Sequence, residues 1–496
     1  MPTQLAAERC KAFMEQALGS DKMRLEQHAN LFVVFFPAQT SAGMEAKAYW
    51  QHTGELVTSR RAEMALRDLG LTVRHVTAAG TSHHAAHHLD PSVFYKLQQR
   101  IGHLTHTPPS TVHLVASGMA SLFTALRAAQ QRSMEQTGSG GTSIVFGFPY
   151  LDTLKMCSRR EFCPGGVQFF GNGDDNDMLA LEQWLEARPP RACSVLFTEI
   201  PSNPLLLTPN FNKLRQLATK HQFTLVVDDT IGNYANLKLF GPQGADVVCT
   251  SLTKLFSGRG DAMAGALVVN PNTTTGQQLL SSSTVLRDEG PSSTLFAADA
   301  WAIYHNSQDF EQRNTRINAT AEQLADYLLD HASVAKVYYP KYTTHYPSLA
   351  TQPTGYYGGL VSIVLGTHMC QRTFFDALDI AKGPSLGTNF TLMCPYTLLA
   401  HYHELDFCLT YNVEPNLLRL SVGLEDFDVL KAKFEQAFTT SKLHPPLPDA
   451  SQQKQQYLQQ QRRGYCTLMA KNNGSASKKC FLRFGLSMGL AVARRI

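Results

Sequence analysis

Five short stretches hold residue types from which a reactive site could be assembled. Ser117-Gly118-Met119 lies between the apolar run TVHLVA and the helical pattern ASLFTAL. A small turn at a helix N-terminus offers unpaired backbone N–H groups and the positive end of a helix dipole, which suits a phosphate, although most such turns are only tight connections. Pro201-Ser202-Asn203-Pro204 follows the run CSVLFTEI and reads either as a ligand contact just past a strand end or as an ordinary Asx turn. Asp228 closes the apolar run FTLVV, where a buried carboxylate is costly without a cationic partner. Ser251-Leu252-Thr253-Lys254 follows DVVCT and sets two hydroxyls beside one amine, and Tyr150 ends SIVFGFPY.

Taken singly each stretch is unremarkable as chemistry; in this order they match the needs of one cofactor, pyridoxal phosphate. It requires an amine for a Schiff base, a carboxylate to keep its ring nitrogen protonated, hydroxyls and a helix terminus for its phosphate, and an aromatic face for stacking. Lys254, Asp228, the Ser117 turn with Ser251 and Thr253, and Tyr150 supply these in turn.

The elements that must position these groups follow from periodicity. Between about 105 and 270, the runs TVHLVAS, SIVFGF, CSVLFTEI, FTLVVDD, DVVCTS and AGALVVN alternate with helical stretches. Short buried strands alternating with helices predict an α/β fold with a mostly parallel sheet covered on both faces. Ligands then bind beyond the carboxyl ends of the strands, where all five stretches fall. The chain of 496 residues is read as four parts. Residues 1–75 form an N-terminal segment that contacts a neighbouring subunit, 76–310 a large cofactor-binding domain, and 311–441 a smaller C-terminal α/β domain entered through the amphipathic stretch QRNTRINATAEQLADYLLDHASV. Residues 442–496, with seven Gln between 452 and 461, read as a disordered basic tail.

The strings VASGMASL, FTEIPSNPLL, VVDDTIGNY, GADVVCTSLTKLFSGRGDAMAGALVV, SLGTNFTL and LRLSVGLED together resemble the cystathionine γ-synthase branch of the Cys/Met-metabolism enzymes, and YWQHTGELVTSRRAE resembles the fungal version of its N-terminal motif. The resemblance spans about residues 50–440 and implies the aspartate-aminotransferase fold, fold type I, with a large mostly parallel-sheet domain and a smaller C-terminal one. It implies that Lys254 is the Schiff-base lysine and later moves protons, that Asp228 pairs with the pyridinium, that Tyr150 stacks on the ring, and that Asn203 meets both the ring's 3-oxygen and the substrate. Ser117, Gly118, Met119, Ser251 and Thr253 would hold the phosphate, with Arg60 reaching the phosphate of an adjacent subunit. Arg419, aided by Ser385, would clamp the substrate α-carboxylate with bidentate geometry. Family members typically have Tyr-Ser-Arg where this chain has Thr58-Ser59-Arg60, a departure shared by the fungal branch that bears on acceptor choice and rate.

The implied reaction is γ-replacement on an O-acyl-L-homoserine, the O-acetyl ester first, with L-cysteine as nucleophile. The alternatives are carbon–carbon bond formation with a β-keto acid in fungal secondary metabolism, a C–S lyase, and a non-catalytic cofactor-binding relic. The resemblance also implies a dimer or dimer of dimers with shared active sites. Charge argues against a nucleic-acid-binding body: of the net +4, the last 55 residues carry +9 (ten Lys/Arg against Asp449), leaving −5 for the rest. Ten scattered cysteines without a CxxC suggest reduced thiols and a cytoplasmic setting. No apolar run approaches the ~18 residues of a membrane span. His83, His84, His87 and His88 have helical metal-ligand spacing but no nearby Cys or acid cluster beyond Asp90, so no metal is expected.

Overall fold

The computed structural model describes residues 1–38, 40–71, 91–288, 294–352 and 355–442. The four histidines at 83–88 and the Gln-rich tail lie outside the described residues. The N-terminal segment folds as α1 (Gln4–Leu18), the hairpin β1 (Arg24–His28) and β2 (Leu31–Phe35), α2 (Thr40–Thr53) and α3 (Ser59–Asp68). Then come α4 (Ser92–Thr105), β3 (Val112–Val115), α5 (Gly118–Thr137), β4 (Thr142–Phe146), α6 (Leu151–Ser158), β5 (Val167–Phe170), α7 (Asp175–Glu186), β6 (Cys193–Glu199), α8 (Phe211–His221), β7 (Thr224–Asp228), β8 (Val247–Thr250) and β9 (Gly265–Val269).

Strands β3 to β9 form one sheet in the order β3-β9-β8-β7-β6-β4-β5, parallel except for β9, which runs against both its neighbours. Every residue of β6 is buried, as expected for a strand covered on both faces, which explains why its sequence is nearly continuous apolar residues. All six β-branched runs form strands of this sheet. A seventh strand, VQFF at β5, occupies the edge and is only partly buried. Register sets Glu199 beside Asp228 and Asp228 beside Cys249, so the loops after β6, β7 and β8 leave the same edge together.

A buried ion pair ties the scaffold beneath that edge. Asp246, fully buried, accepts from Arg215 Nη1 at 2.8 Å and from the Leu225 backbone N–H at 2.8 Å, joining α8, β7 and the start of β8. Asp246→Ala would strand the Arg215 charge in the interior, and a loss of about 3–5 kcal/mol of unfolding free energy is expected in denaturant titration. A change under about 1 kcal/mol would show that Arg215 finds compensation elsewhere.

The N-terminal helices pack on this same chain. Phe13 and Tyr49 join Phe123 and Phe162 in one buried cluster, with Phe13 stacked on Phe162 at 5.0 Å. Glu55 receives both Arg9 and the Tyr49 hydroxyl. At Gly54 (φ +63°) an added Cβ would come 2.7 Å from Met119 Cβ and would strike Ser117 Oγ, so glycine alone allows this segment to lie on the N-terminus of α5.

After short helices α9 (Thr274–Ser282), α10 (Thr284–Asp288) and α11 (Ala297–Asn306), the long α12 (Phe310–Asp330) leads to a second sheet. Its strands are β10 (Val334–Tyr338), β11 (Leu360–Leu365), β12 (Ala381–Lys382), β13 (Leu392–Pro395) and β14 (Leu418–Ser421), ordered β10-β11-β14-β13-β12. In β14 the sequence Leu-Arg-Leu-Ser alternates faces. Leu418 and Leu420 join the main core, while Arg419 bonds to Asn203 and Ser421 to Gly387. Among the described residues, no helix is long and apolar enough to cross a membrane.

Candidate active site

The parallel strands deliver their loops to one edge, and the second sheet faces it. Asp228, at the end of β7, accepts at Oδ1 from the Thr230 backbone N–H at 3.0 Å. Among the described residues it has no cationic partner, and burial pushes its carboxyl above the ordinary aspartate range. Lys254 stands in the turn after β8, with Nζ 3.1 Å from Ser385 Oγ and, among the described residues, no ion pair with a carboxylate. Burial first, and then the positive charge of Arg419, hold its amine down at about 8. An orphaned carboxylate and a partly neutral lysine, each costly by itself, are what a protonated pyridine carrying an aldehyde would relieve.

The phosphate end is built from the α5 turn. Ser117 caps α5 by accepting from Ala120 N at 3.1 Å, and its Oγ donates to the Gly54 carbonyl at 2.9 Å. Its hydroxyl is therefore engaged by the protein, leaving the N–H groups of Gly118 and Met119 as the donors of the helix terminus. A Cβ at Gly118 would lie 2.7 Å from Ser251 Cβ, which brings Ser251 directly against this turn. The Ser251 N–H is anchored by Thr230 Oγ1 at 3.0 Å. Thr253 is used differently from the expectation of a free hydroxyl: its Oγ1 contacts both the carbonyl (3.2 Å) and the N–H (3.1 Å) of Ala264. The Met119 side chain packs on the N-terminal cluster.

Tyr150 follows β4 and immediately precedes α6, its backbone N–H held by buried Glu199 at 2.8 Å, and the residue is 44% exposed. Asn203 Oδ1 accepts from Arg419 Nη1 at 2.9 Å. Arg419 is buried, and its other acceptors are the carbonyls of Pro384 (2.6 Å) and Ser385 (3.1 Å), all neutral. Among the described residues it forms no ion pair, although the buried Glu199 carboxyl lies within its electrostatic reach. Arg60 is not drawn into this group: it pairs with Asp299 Oδ1 at 3.0 Å and donates to the Asp261 carbonyl at 2.7 Å, while Thr58 donates to Asp299.

Several residues that support the site have roles that only the folded structure assigns. Arg313, on α12, donates to the carbonyls of Leu255 (3.0 Å) and Phe256 (3.0 Å) and to Asn389 Oδ1 (3.1 Å), locking the turn after Lys254 to the second domain. The roles of Glu199, Thr230 and Tyr396 likewise come from their tertiary contacts. Of these, Thr230, two residues beyond a strand-closing aspartate, was the one within reach of a turn-based reading.

The fold is shared with solved enzymes: a cystathionine gamma synthase from Xanthomonas oryzae pv. oryzae, solved with cystathionine, superposes with a TM-score of 0.58 over 74% of this chain and 91% of that one, at 21% identity. This is the pyridoxal-phosphate-dependent transferase fold, type I, and the edge just described fits that cofactor.

Residues 88–439 match the family described as Cys/Met metabolism PLP-dependent enzyme, and residues 1–58 match the fungal trans-sulfuration enzyme N-terminal domain. The chain belongs to the Cys/Met-metabolism PLP-dependent enzyme family. A cystathionine gamma-synthase of Neurospora crassa is 41% identical over 340 residues, covering 68% of this chain and 53% of that protein, so the chain spans about half the length of that relative. The cystathionine gamma-synthase-like enzyme iboG2 of Amanita muscaria is 34% identical over 83% of this chain and 76% of that one.

Proposed function

We propose that this enzyme catalyses γ-replacement on O-acyl-L-homoserine, with the O-acetyl ester as donor and L-cysteine as nucleophile. The observation that carries the reading is the buried Arg419, which forms no ion pair among the described residues and is tied through Asn203 to the same edge that holds Lys254 and Asp228. An amino-acid carboxylate bound there sets its Cα near the lysine amine.

Pyridoxal phosphate, when bound, supplies an electron sink that acidifies the substrate's Cα–H and allows an acyloxy group to leave from Cγ. Asp228 would hold the proton on the pyridine nitrogen. The Gly118 and Met119 N–H groups, with Ser117, Ser251 and Thr253 shaping the turn, would hold the phosphate, and Tyr150 would supply an aromatic face for the ring. Asn203 orients the 3-oxygen, and Arg419 with Ser385 fixes the α-carboxylate. Lys254 Nζ, its amine held down at about 8 chiefly by burial, takes and returns protons at the substrate carbons. Ser385 Oγ keeps it aimed.

The proposed domain division is 1–75, 76–310, 311–441 and 442–496. The working unit is a dimer or dimer of dimers in the cytoplasm, in which Arg60 leaves Asp299 to reach a partner's phosphate. The free state of the described cysteines supports a reducing setting.

The test is mass spectrometry after incubating the holoenzyme with O-acetyl-L-homoserine and one acceptor at a time. Cystathionine and acetate from the cysteine reaction are the expected result. A carbon–carbon adduct with a β-keto acid and none with cysteine would replace the acceptor, ammonia and a keto acid would indicate a lyase, and cofactor uptake with no acetate released would leave only a binding protein.

A further inference from the structure

We infer that Tyr396 is a substrate-binding residue: its phenol donates to the substrate α-carboxylate while its ring holds the Arg419 guanidinium in place. The inference rests on the proposed function only in taking an amino acid as substrate.

Tyr396 opens the short helix Tyr396–Ala400 directly after β13, and it is 5% exposed. Its phenol oxygen accepts from Asn203 Nδ2 at 3.0 Å, and Arg419 Cζ lies 4.5 Å above its ring centroid. Asn203 closes the triangle through Oδ1, which accepts from Arg419. A guanidinium only donates, so the amide oxygen must face Arg419 and the amide nitrogen must face the phenol. The phenol oxygen is then an acceptor toward Asn203, and its own proton is left over. Among the described residues that proton meets no acceptor.

A buried O–H with no acceptor and a buried guanidinium with no ion pair among the described residues, meeting at one asparagine, would both be satisfied by a single carboxylate. Burial raises the phenol's pKa, so it stays a donor at any working pH. The ring is held from behind. His401, 1% exposed, packs against the Tyr396 ring at 5.6 Å and against Phe148 at 5.6 Å. The cation over a desolvated aromatic face is favourable and orients the guanidinium plane.

The experiment uses the holoenzyme and two unreactive ligands, L-homoserine and its decarboxylated counterpart 3-aminopropan-1-ol, with binding read from the visible spectrum. Tyr396→Phe keeps the ring and removes one oxygen; it is expected to raise the Kd for L-homoserine about ten-fold or more, the scale of a hydrogen bond to a charged group, and to leave the amine unchanged. Tyr396→Ala, which also removes the surface beneath Arg419, should raise it further. No change with phenylalanine, or equal weakening of both ligands, would overturn the inference. If the phenylalanine variant fails to fold, 3-fluorotyrosine at 396 replaces it. A more acidic phenol should then tighten L-homoserine and not the amine, and unchanged binding would count against the contact. Wild-type protein that binds L-homoserine no better than the amine would instead sink the functional reading itself.

Discussion

Lys254→Ala is expected to give a folded protein that lacks the visible absorption of the wild type and turns over at least ~10⁴-fold more slowly, the scale of losing a covalently acting residue that works as part of a unit. The amine has no other structural duty: its one described bond is to Ser385 Oγ, and it pairs with no carboxylate. Stability should therefore not fall. Burial holds the amine at about 8 against an ordinary 10.5, so its protonated form is the unfavourable one in the folded chain. Below about pH 8 both folded and unfolded chains carry the proton and the cost is fully present; between about 8 and 10.5 only the unfolded chain does, so the cofactor-free protein gains stability as pH rises through that window. The same value sets reactivity. The rate at which cofactor-free protein takes up the aldehyde, followed by stopped-flow absorbance, should level off above about pH 8 and fall about ten-fold per unit below it. A plateau reached only near pH 10 would mean that the lysine is not desolvated.

Asp228→Asn should separate activity from stability. Among the described residues the carboxylate has no cation beside it, and burial raises its pKa, so in the cofactor-free chain it is a liability. Its amide counterpart removes that penalty, and the Tm of the cofactor-free variant is expected to rise. Turnover should move the other way, by about 10²–10³-fold in kcat, because a neutral amide cannot hold a proton on the pyridine nitrogen as a carboxylate does. KM for the amino acid should change little, since Arg419 and Asn203 are untouched. Equal losses of stability and activity would instead identify Asp228 as a structural group bonded to Thr230. Trading stability for function in this way is common where polar groups are buried to await a ligand.

Much of this arrangement is legible along the chain. Each β-branched run became a strand because a parallel sheet buried on both faces demands contiguous apolar residues, and the stretches ending in Tyr150, Asn203, Asp228 and Lys254 reach one edge because parallel strands end on the same side. The edge strand Val167–Phe170 gave a weaker signal, being four residues long and covered on fewer sides. Arg419 stood out through LRLSVG, and alternation along β14 explains why the arginine, flanked by core leucines, faces the other domain.

What each polar atom does once there is a tertiary matter. Ser117 and Thr253 are hydroxyls beside the phosphate turn in the sequence, yet one caps α5 and binds Gly54 while the other binds Ala264. Arg60 is claimed by Asp299, 239 residues away. The roles of Tyr396 and Arg313 come from surfaces 193 and 58 residues distant, Asn203 for one and the Leu255 carbonyl for the other. Sequence by itself determined the strands, the edge and the residue types set there, since burial and periodicity are local properties of the chain. Only the folded arrangement decided which donors and charges remain unpaired, because a hydrogen bond depends on angstrom-scale distances between segments whose spacing along the chain carries no such information.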